Sequence, residues 1–337
     1  MSEEEVDRMR KRTGNRFAGH FILVILILFW VAMFILNRNF RSVANLASIL
    51  TEATITGTAA LGMTFVILLG DFDLSIGSML ALLGMLLVFV SDRTGLVVGI
   101  LVTCLAGIVL GAINGGIIVY GNVSAFITTL GTYYGYRSLA YISNNARTLM
   151  VGNSSLLAIN RLRLFGIPAS FFLMVILTVI LWFVLNQTVY GRSVKAIGNS
   201  IQASRISGIH IERTKLLTFA LVGLCTSFAT VLMTSRQSCA APDVATDFHF
   251  QAITVVILGG TKMTGGEGDI WNTFFAALLY ASISNCLNLY HVDAQWQRIC
   301  MGLILLLAFS LERMKTFPEW LRGRRTGAGK ETTSTVR

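Results

Sequence analysis

The chain has 337 residues, 54% of them hydrophobic and 13% charged, with a formal net charge of +10 at pH 7 and a mean hydropathy of +0.68. That much apolar surface cannot be hidden in one ordinary core, which excludes a soluble domain and leaves lipid as the solvent. In lipid every backbone polar group must be bonded within the chain, as helices or closed barrels, and no period-two alternation supports a barrel.

In chain order the apolar runs predict ten helical spans, at roughly 18–36, 46–69, 75–90, 96–119, 123–142, 169–185, 216–234, 250–260, 270–288 and 299–311. The expected fold class is all-α, a polytopic membrane protein of about ten transmembrane helices with both termini cytoplasmic. Residues 1–16 make a cytoplasmic N-terminal segment, 17–312 the membrane domain and 313–337 a basic cytoplasmic tail. The first run, Ala18 to Leu36, follows basic residues as a secretory signal would. It is too long for one and no small-x-small cleavage pattern follows, so it reads as a retained anchor. The eighth run, Ala252 to Gly260, is too short to cross unaided; it reads as a re-entrant or broken helix that borrows from Asp247 to Gln251. Lys and Arg stay on the cytoplasmic side of membranes. With both ends inside, 18 of the 27 basic residues fall inside, 8 outside and Arg137 within a span. The positive charge is thus a topological signal, not a footprint for nucleic acid.

At the junction of the second and third spans, Asp71 and Asp73 lie close to hydrocarbon, which is costly unless they face protein or water. Asp73 ahead of Leu74, Ser75 and Ile76 suits an N-cap of the third span, where a carboxylate meets the positive helix end. Contact with a solute in a polar path and a proton relay are the other roles open to it. Gly107, Gly111 and Gly115 recur on one face of the fourth span and permit close helix approach. The fifth span is unusually polar, with Thr128, Thr129, Thr132, Tyr133, Tyr136 and Arg137. Hydroxyls and aromatic faces suit the path of a neutral sugar, and interhelical hydrogen bonding would use the same groups. Asn285, in the ninth span, stands under the same two readings.

Between the sixth and seventh spans runs a basic segment from Tyr190 to Lys215. Asn199 or Ser200 can cap a short helix over Ile201 to Ser207, and Gly208 suits the left-handed residue that ends one. The neighbouring cytoplasmic loops are very short, so this segment is the natural handle for a soluble partner, through Ser200, Ile201, Gln202, Ala203, Arg205, Ser207 and Gly208. The glycine-rich stretch Gly259 to Asp269 lacks the spacing of a phosphate loop, as does Arg324 to Glu331, so no nucleotide site is visible. Hinging or tight backbone packing is the expected use of these glycines. Four scattered His and five Cys without paired spacing indicate no metal site, disulfide framework or catalytic centre.

Several of these stretches carry a resemblance. Gly62-Met-Thr-Phe-Val-Ile-Leu-Leu-Gly-Asp-Phe-Asp-Leu-Ser-Ile-Gly77, Phe126-Ile-Thr-Thr-Leu-Gly-Thr132 and Arg137-Ser-Leu-Ala-Tyr141 come first. Tyr190-Gly-Arg192 with Ala196-Ile-Gly-Asn199, Leu258-Gly-Gly-Thr261 with Gly265-Gly-Glu-Gly268, and Leu287-Asn-Leu289 follow in order. Together, over about residues 40–311, they resemble the permease subunits of bacterial ABC importers for monosaccharides, related to branched-chain amino-acid permeases. The resemblance implies an inner-membrane subunit that is not itself an enzyme and binds no cofactor. A periplasmic sugar-binding protein would deliver the solute, a second permease subunit, identical or not, would complete the path, and a cytoplasmic ATP-binding subunit would use the ATP. By position, Ala196 to Lys215 would contact that ATPase and Asp73 would match the family's single Asp of the block. The chain departs from the family pattern at Ile201-Gln202, where an acidic pair is common, at His249-Phe-Gln251, and at Asp71, where Gly is usual. An ion-coupled secondary transporter using Asp71 or Asp73 is the rival reading.

Overall fold

The computed structural model describes residues 21–307 and 310. The expected N-terminal segment 1–16 and tail 313–337 lie outside the described residues. The described chain is a helical bundle: α1 (Phe21–Leu36), α2 (Val43–Leu68), α3 (Ile76–Thr94), α4 (Leu96–Tyr120), α5 (Ala125–Ser143), α6 (Ser154–Arg161), α7 (Ala169–Gln187), α8 (Val189–Asn199), α9 (Ile201–Ile206), α10 (Ile211–Gln237), α11 (Phe248–Leu258) and α12 (Ile270–Leu289), followed by α13 (Ala294–Leu307). Among the described residues, each of the ten predicted spans overlaps one of these helices. Six of them, α2, α3, α4, α7, α10 and α12, are long and apolar enough to cross a membrane. The strands are two-residue pairs: Leu149–Met150 runs antiparallel to Cys239–Ala240, and Arg163–Leu164 to Ile167–Pro168.

Helix α2 is the central post. From Ala53 to Leu69 every residue is buried, as expected of a helix that is apolar all round. Its hydroxyls are satisfied within the helix, Thr54 Oγ1 donating to Leu50 O at 2.7 Å and Thr58 Oγ1 to Thr54 O at 2.6 Å. Around it pack α10, α12, α11 and α7. The glycine face of α4 meets α10 backbone to backbone. A Cβ on Gly107 would collide with Ser227 Oγ, one on Gly111 with Phe219 O, and one on Gly115 would stand 3.0 Å from Leu216 Cα. The small-residue spacing is therefore a packing device, and Ser227 Oγ adds a hydrogen bond to Thr103 O at 3.1 Å.

Two segments differ from the reading of the sequence. The basic segment is helical from its start: Thr188 Oγ1 accepts from Gly191 N at 3.2 Å and caps α8, which buries Gly191, Val194 and Ile197 along one face. Helix α10 likewise begins at Ile211, so Glu212, Arg213 and Lys215 belong to its first turns. The short eighth span, in contrast, is as expected. Helix α11 has 11 residues, about 16 Å at 1.5 Å per residue, or half of a hydrocarbon layer of about 30 Å. The turn-rich stretch 241–247 precedes it.

Candidate coupling and translocation sites

Helix α9 is a separate six-residue helix that buries only Ser204. Of the two capping candidates the structure uses Ser200, whose Oγ accepts from Ala203 N at 3.2 Å, while Asn199 closes α8. Gly208 ends the motif at φ +77°, the conformation in which a side chain would be strained. Ile201, Gln202, Ala203, Arg205, Ser207 and Gly208 are all exposed. So is Ile206, at 89%, a residue the sequence reading passed over. Its signal was an isoleucine on a helix that has no core to join, since an exposed apolar group on a structured handle favours a protein partner.

Behind α9 three glycine-bearing segments cross. Gly266 N donates to Leu68 O at 2.9 Å. A Cβ on Gly198 would collide with Leu68 O and Gly266 N, one on Gly266 with Asn199, and one on Gly265 would stand 2.9 Å from Gly70 N. The end of α2, the end of α8 and the 259–269 loop are thus locked in backbone contact. Beside this knot Lys215 Nζ donates to Asp71 Oδ2 at 2.6 Å, each side chain 16% exposed. Lys195 Nζ reaches Asn186 Oδ1 at 2.8 Å; burial lowers its pKa and the charge of Asp269 raises it.

Two residues beyond Asp71 the link turns inward. Asp73 is fully buried, and its Oδ1 accepts from Ser75 N at 2.8 Å and Ser75 Oγ at 2.6 Å. Asn114 Nδ2 donates to Ser75 Oγ at 2.8 Å, and the Tyr136 hydroxyl lies 3.0 Å from Asn114 Oδ1 and 2.9 Å from Leu110 O. Burial raises the Asp73 carboxyl above its ordinary range, and the hydrogen bonds from Ser75 and Asn114 pull it down. The expected N-cap is corrected in one respect: Ser75 occupies the cap position, without a side-chain cap of its own. Residues 71–74 have no helical or strand structure, which sets Asp73 two residues before the cap, where it binds that residue's N–H and hydroxyl.

The polar face of α5 joins this cluster in part. Thr129 Oγ1 donates to Ala125 O at 2.8 Å and lies 3.3 Å from Phe72 O. Thr132 Oγ1 bonds Thr129 O at 3.3 Å. The Tyr133 hydroxyl reaches Thr246 O at 3.4 Å, and Thr128 Oγ1 is buried without a partner. Asn285 does not join them: its Nδ2 donates to Asn45 Oδ1 at 2.9 Å, tying α12 to the start of α2.

A polytopic helical bundle with a protruding capped helix at one end and a buried polar cluster beside a half-length helix is the architecture of a membrane permease. Residues 45–309 match the family described as branched-chain amino acid transport system / permease component, and the chain belongs to that family. It is 37% identical over 313 residues to the ribose import permease protein of Bacillus subtilis, covering 89% of this chain and 92% of that protein. It is 34% identical over 310 residues to the ribose import permease protein of Haemophilus influenzae, covering 89% and 96%. The L-arabinose transport system permease protein of Escherichia coli is 32% identical over 303 residues, with 90% and 92% covered. No solved structure matches the chain.

Proposed function

We propose that the chain is the permease subunit of an ATP-driven ABC importer in the bacterial inner membrane, passing a monosaccharide delivered by a periplasmic binding protein. The observation that carries the coupling is α9, a capped helix with one buried residue, presenting Ile201, Gln202, Arg205 and Ile206 and seated on the glycine knot. In this reading the chain crosses ten times with both ends cytoplasmic, and the membrane domain spans 17–312. A cytoplasmic ATP-binding subunit grips α9 and hydrolyses the ATP, and the chain itself binds no cofactor. Movement of α9 passes through Gly198 and Leu68 to the Asp71–Ser75 link, and through Gly266 to the loop that follows α11. The opposite end meets the binding protein, where Phe165, at the tip of the Arg163–Pro168 hairpin, is 99% exposed. A second permease subunit lies against α5, whose exposed Gly131, Gly135 and Tyr134 allow close approach.

Arg205→Glu tests the docking. The variant should insert normally, while uptake and the ATPase stimulation by loaded binding protein fall by about tenfold or more, as for an interface Arg. Wild-type values for both would remove α9 from the coupling. The ion-coupled alternative has less to use, because Asp71 is engaged by Lys215 and Asp73 Oδ1 by Ser75. Uptake that follows an ion gradient and ignores the ATPase would restore it.

A further inference from the structure

Arg137 stands two-thirds of the way along α5, about 18 Å along the helix from its first residue. A guanidinium inside a span is expensive without a partner charge. The ion pairs among the described residues are Lys215–Asp71, Arg236–Glu52 and Lys262–Glu267, so no carboxylate neutralises it. Its Nη1 donates to Pro242 O and Val244 O, both at 2.6 Å. Its Nε and Nη2 are buried and unpartnered. Those two N–H groups form the side-on edge of the guanidinium, a planar fork that fits two adjacent oxygen atoms.

An aromatic ring and one unpaired nitrogen stand next to this fork. Tyr133, one turn earlier on α5, has its ring centroid 5.5 Å from Arg137 Cζ. The His249 ring lies edge-on to Tyr133 with centroids 5.5 Å apart, and His249 Nδ1 is buried with no partner. Gly77, in the first turn of α3, closes the arrangement: a Cβ there would collide with Ala245 O and stand 3.6 Å from His249 Nδ1. Gly77 and His249 lie in the first turns of α3 and α11, so the positive ends of both helices are at this site. An aromatic face, a bidentate donor fork and a further unpaired nitrogen complement a polyol, with its C–H face on the ring and adjacent hydroxyls on the fork.

We propose that Arg137, Tyr133 and His249 form a solute subsite for the vicinal diol of a neutral monosaccharide. Arg137 has two jobs in it: Nη1 holds the unwound 241–247 stretch, and Nε with Nη2 receives the solute. Occupancy is thereby coupled to the position of α11. The subsite rests on the importer reading above and adds to it a specificity filter inside the membrane subunit.

The test uses the full complex of permease, ATP-binding subunit and binding protein in liposomes, with labelled D-ribose, L-arabinose and D-xylose as probes. The best of these is then compared with its 2-deoxy analogue, in wild type and in Arg137→Lys, with co-purification of the ATP-binding subunit as the check on folding. The binding protein's own preference is common to both permeases and cancels in the ratio. Arg137→Lys keeps the charge and loses the planar fork, so discrimination between the sugar and its deoxy analogue should drop on the order of tenfold. His249→Gln supplies a second variant with a smaller drop. Equal loss of both substrates in Arg137→Lys would make Arg137 a loop latch alone and overturn the subsite, as would unchanged discrimination. A wild-type complex that takes up D-ribonate but no neutral sugar assigns the fork to a carboxylate and overturns the diol. A wild-type complex that takes up none of these, nor D-glucose, D-galactose or D-allose, removes the importer reading and the subsite together, whereas intact uptake with unchanged discrimination removes the subsite only.

Discussion

Asp73 holds the entry of α3 through two hydrogen bonds to one residue, and its second oxygen has none. Replacing it by Ala leaves the Ser75 N–H and hydroxyl without their acceptor in a buried site, a cost of about 2–4 kcal/mol. Asp73→Asn keeps one acceptor oxygen and should cost about 1 kcal/mol. Thermal unfolding in detergent should therefore rank wild type above Asn and Asn above Ala, with uptake per folded molecule following the same order. If Asp73→Asn unfolded like wild type yet had lost uptake, Asp73 would belong to the solute or proton path and not to the scaffold. The carboxylate was legible in the sequence as a helix-starting device, but its place was not. A local pattern fixes where a helix starts favourably, whereas residues 71–75 take their course from Asn114 on α4, which holds Ser75, and Lys215 on α10, which holds Asp71, partners far along the chain. Arg137 was visible as a charge in a span for the same reason that its carbonyl partners at 242 and 244 were not: composition is local and the clamp is long-range.

At the scale of elements, the handle and its support were unequally readable. Ser200 and Gly208 announced α9, and its observed extent of Ile201–Ile206 follows from them. The helix before it was missed because Gly191, Val194 and Ile197, the residues it buries, make a short apolar stripe inside a basic segment. The shortness of α11 was legible because only nine residues of that run are apolar or small. Tight backbone packing at Gly265 and Gly266 was legible, but the partners in the knot were not, since Gly198, Gly266 and Leu68 belong to three separate motifs. Gly198→Ala should force apart the ends of α8 and α2, break the Gly266 N–H bond to Leu68 O, and cost about 1–3 kcal/mol by overpacking. α9 itself remains intact, so the ATP-binding subunit should still co-purify while uptake per ATP hydrolysed falls. Gly116→Ala is the control, because nothing lies within 4 Å of its added Cβ. If the two variants lost coupling equally, the knot would carry no force.

The whole molecule is levelled by two ion pairs on α10. Lys215 meets Asp71 near one end and Arg236 meets Glu52 near the other, and the two cations stand about 32 Å apart along the helix at about 1.5 Å per residue. That separation matches a hydrocarbon layer of about 30 Å, so the two pairs are spaced as the two faces of one bilayer would be. The boundaries drawn this way put α9 and the glycine knot on one side and the 144–168 connection with its exposed Phe165 on the other. In the proposed reading, which keeps Lys and Arg inside, the α9 side faces the cytoplasm. Single-cysteine variants on a background lacking Cys104, Cys225, Cys239, Cys286 and Cys300 test the assignment, with Ile206→Cys and Phe165→Cys as reporters, both at surface positions. A membrane-impermeant maleimide added to intact cells with a permeabilised outer membrane should label Phe165→Cys at once and Ile206→Cys only after the inner membrane is opened. The reverse order would invert the molecule, place α9 where no ATP is available, and take the coupling mechanism down with it. Equal labelling of both in sealed cells would mean that the ion pairs do not mark the two faces of a single bilayer.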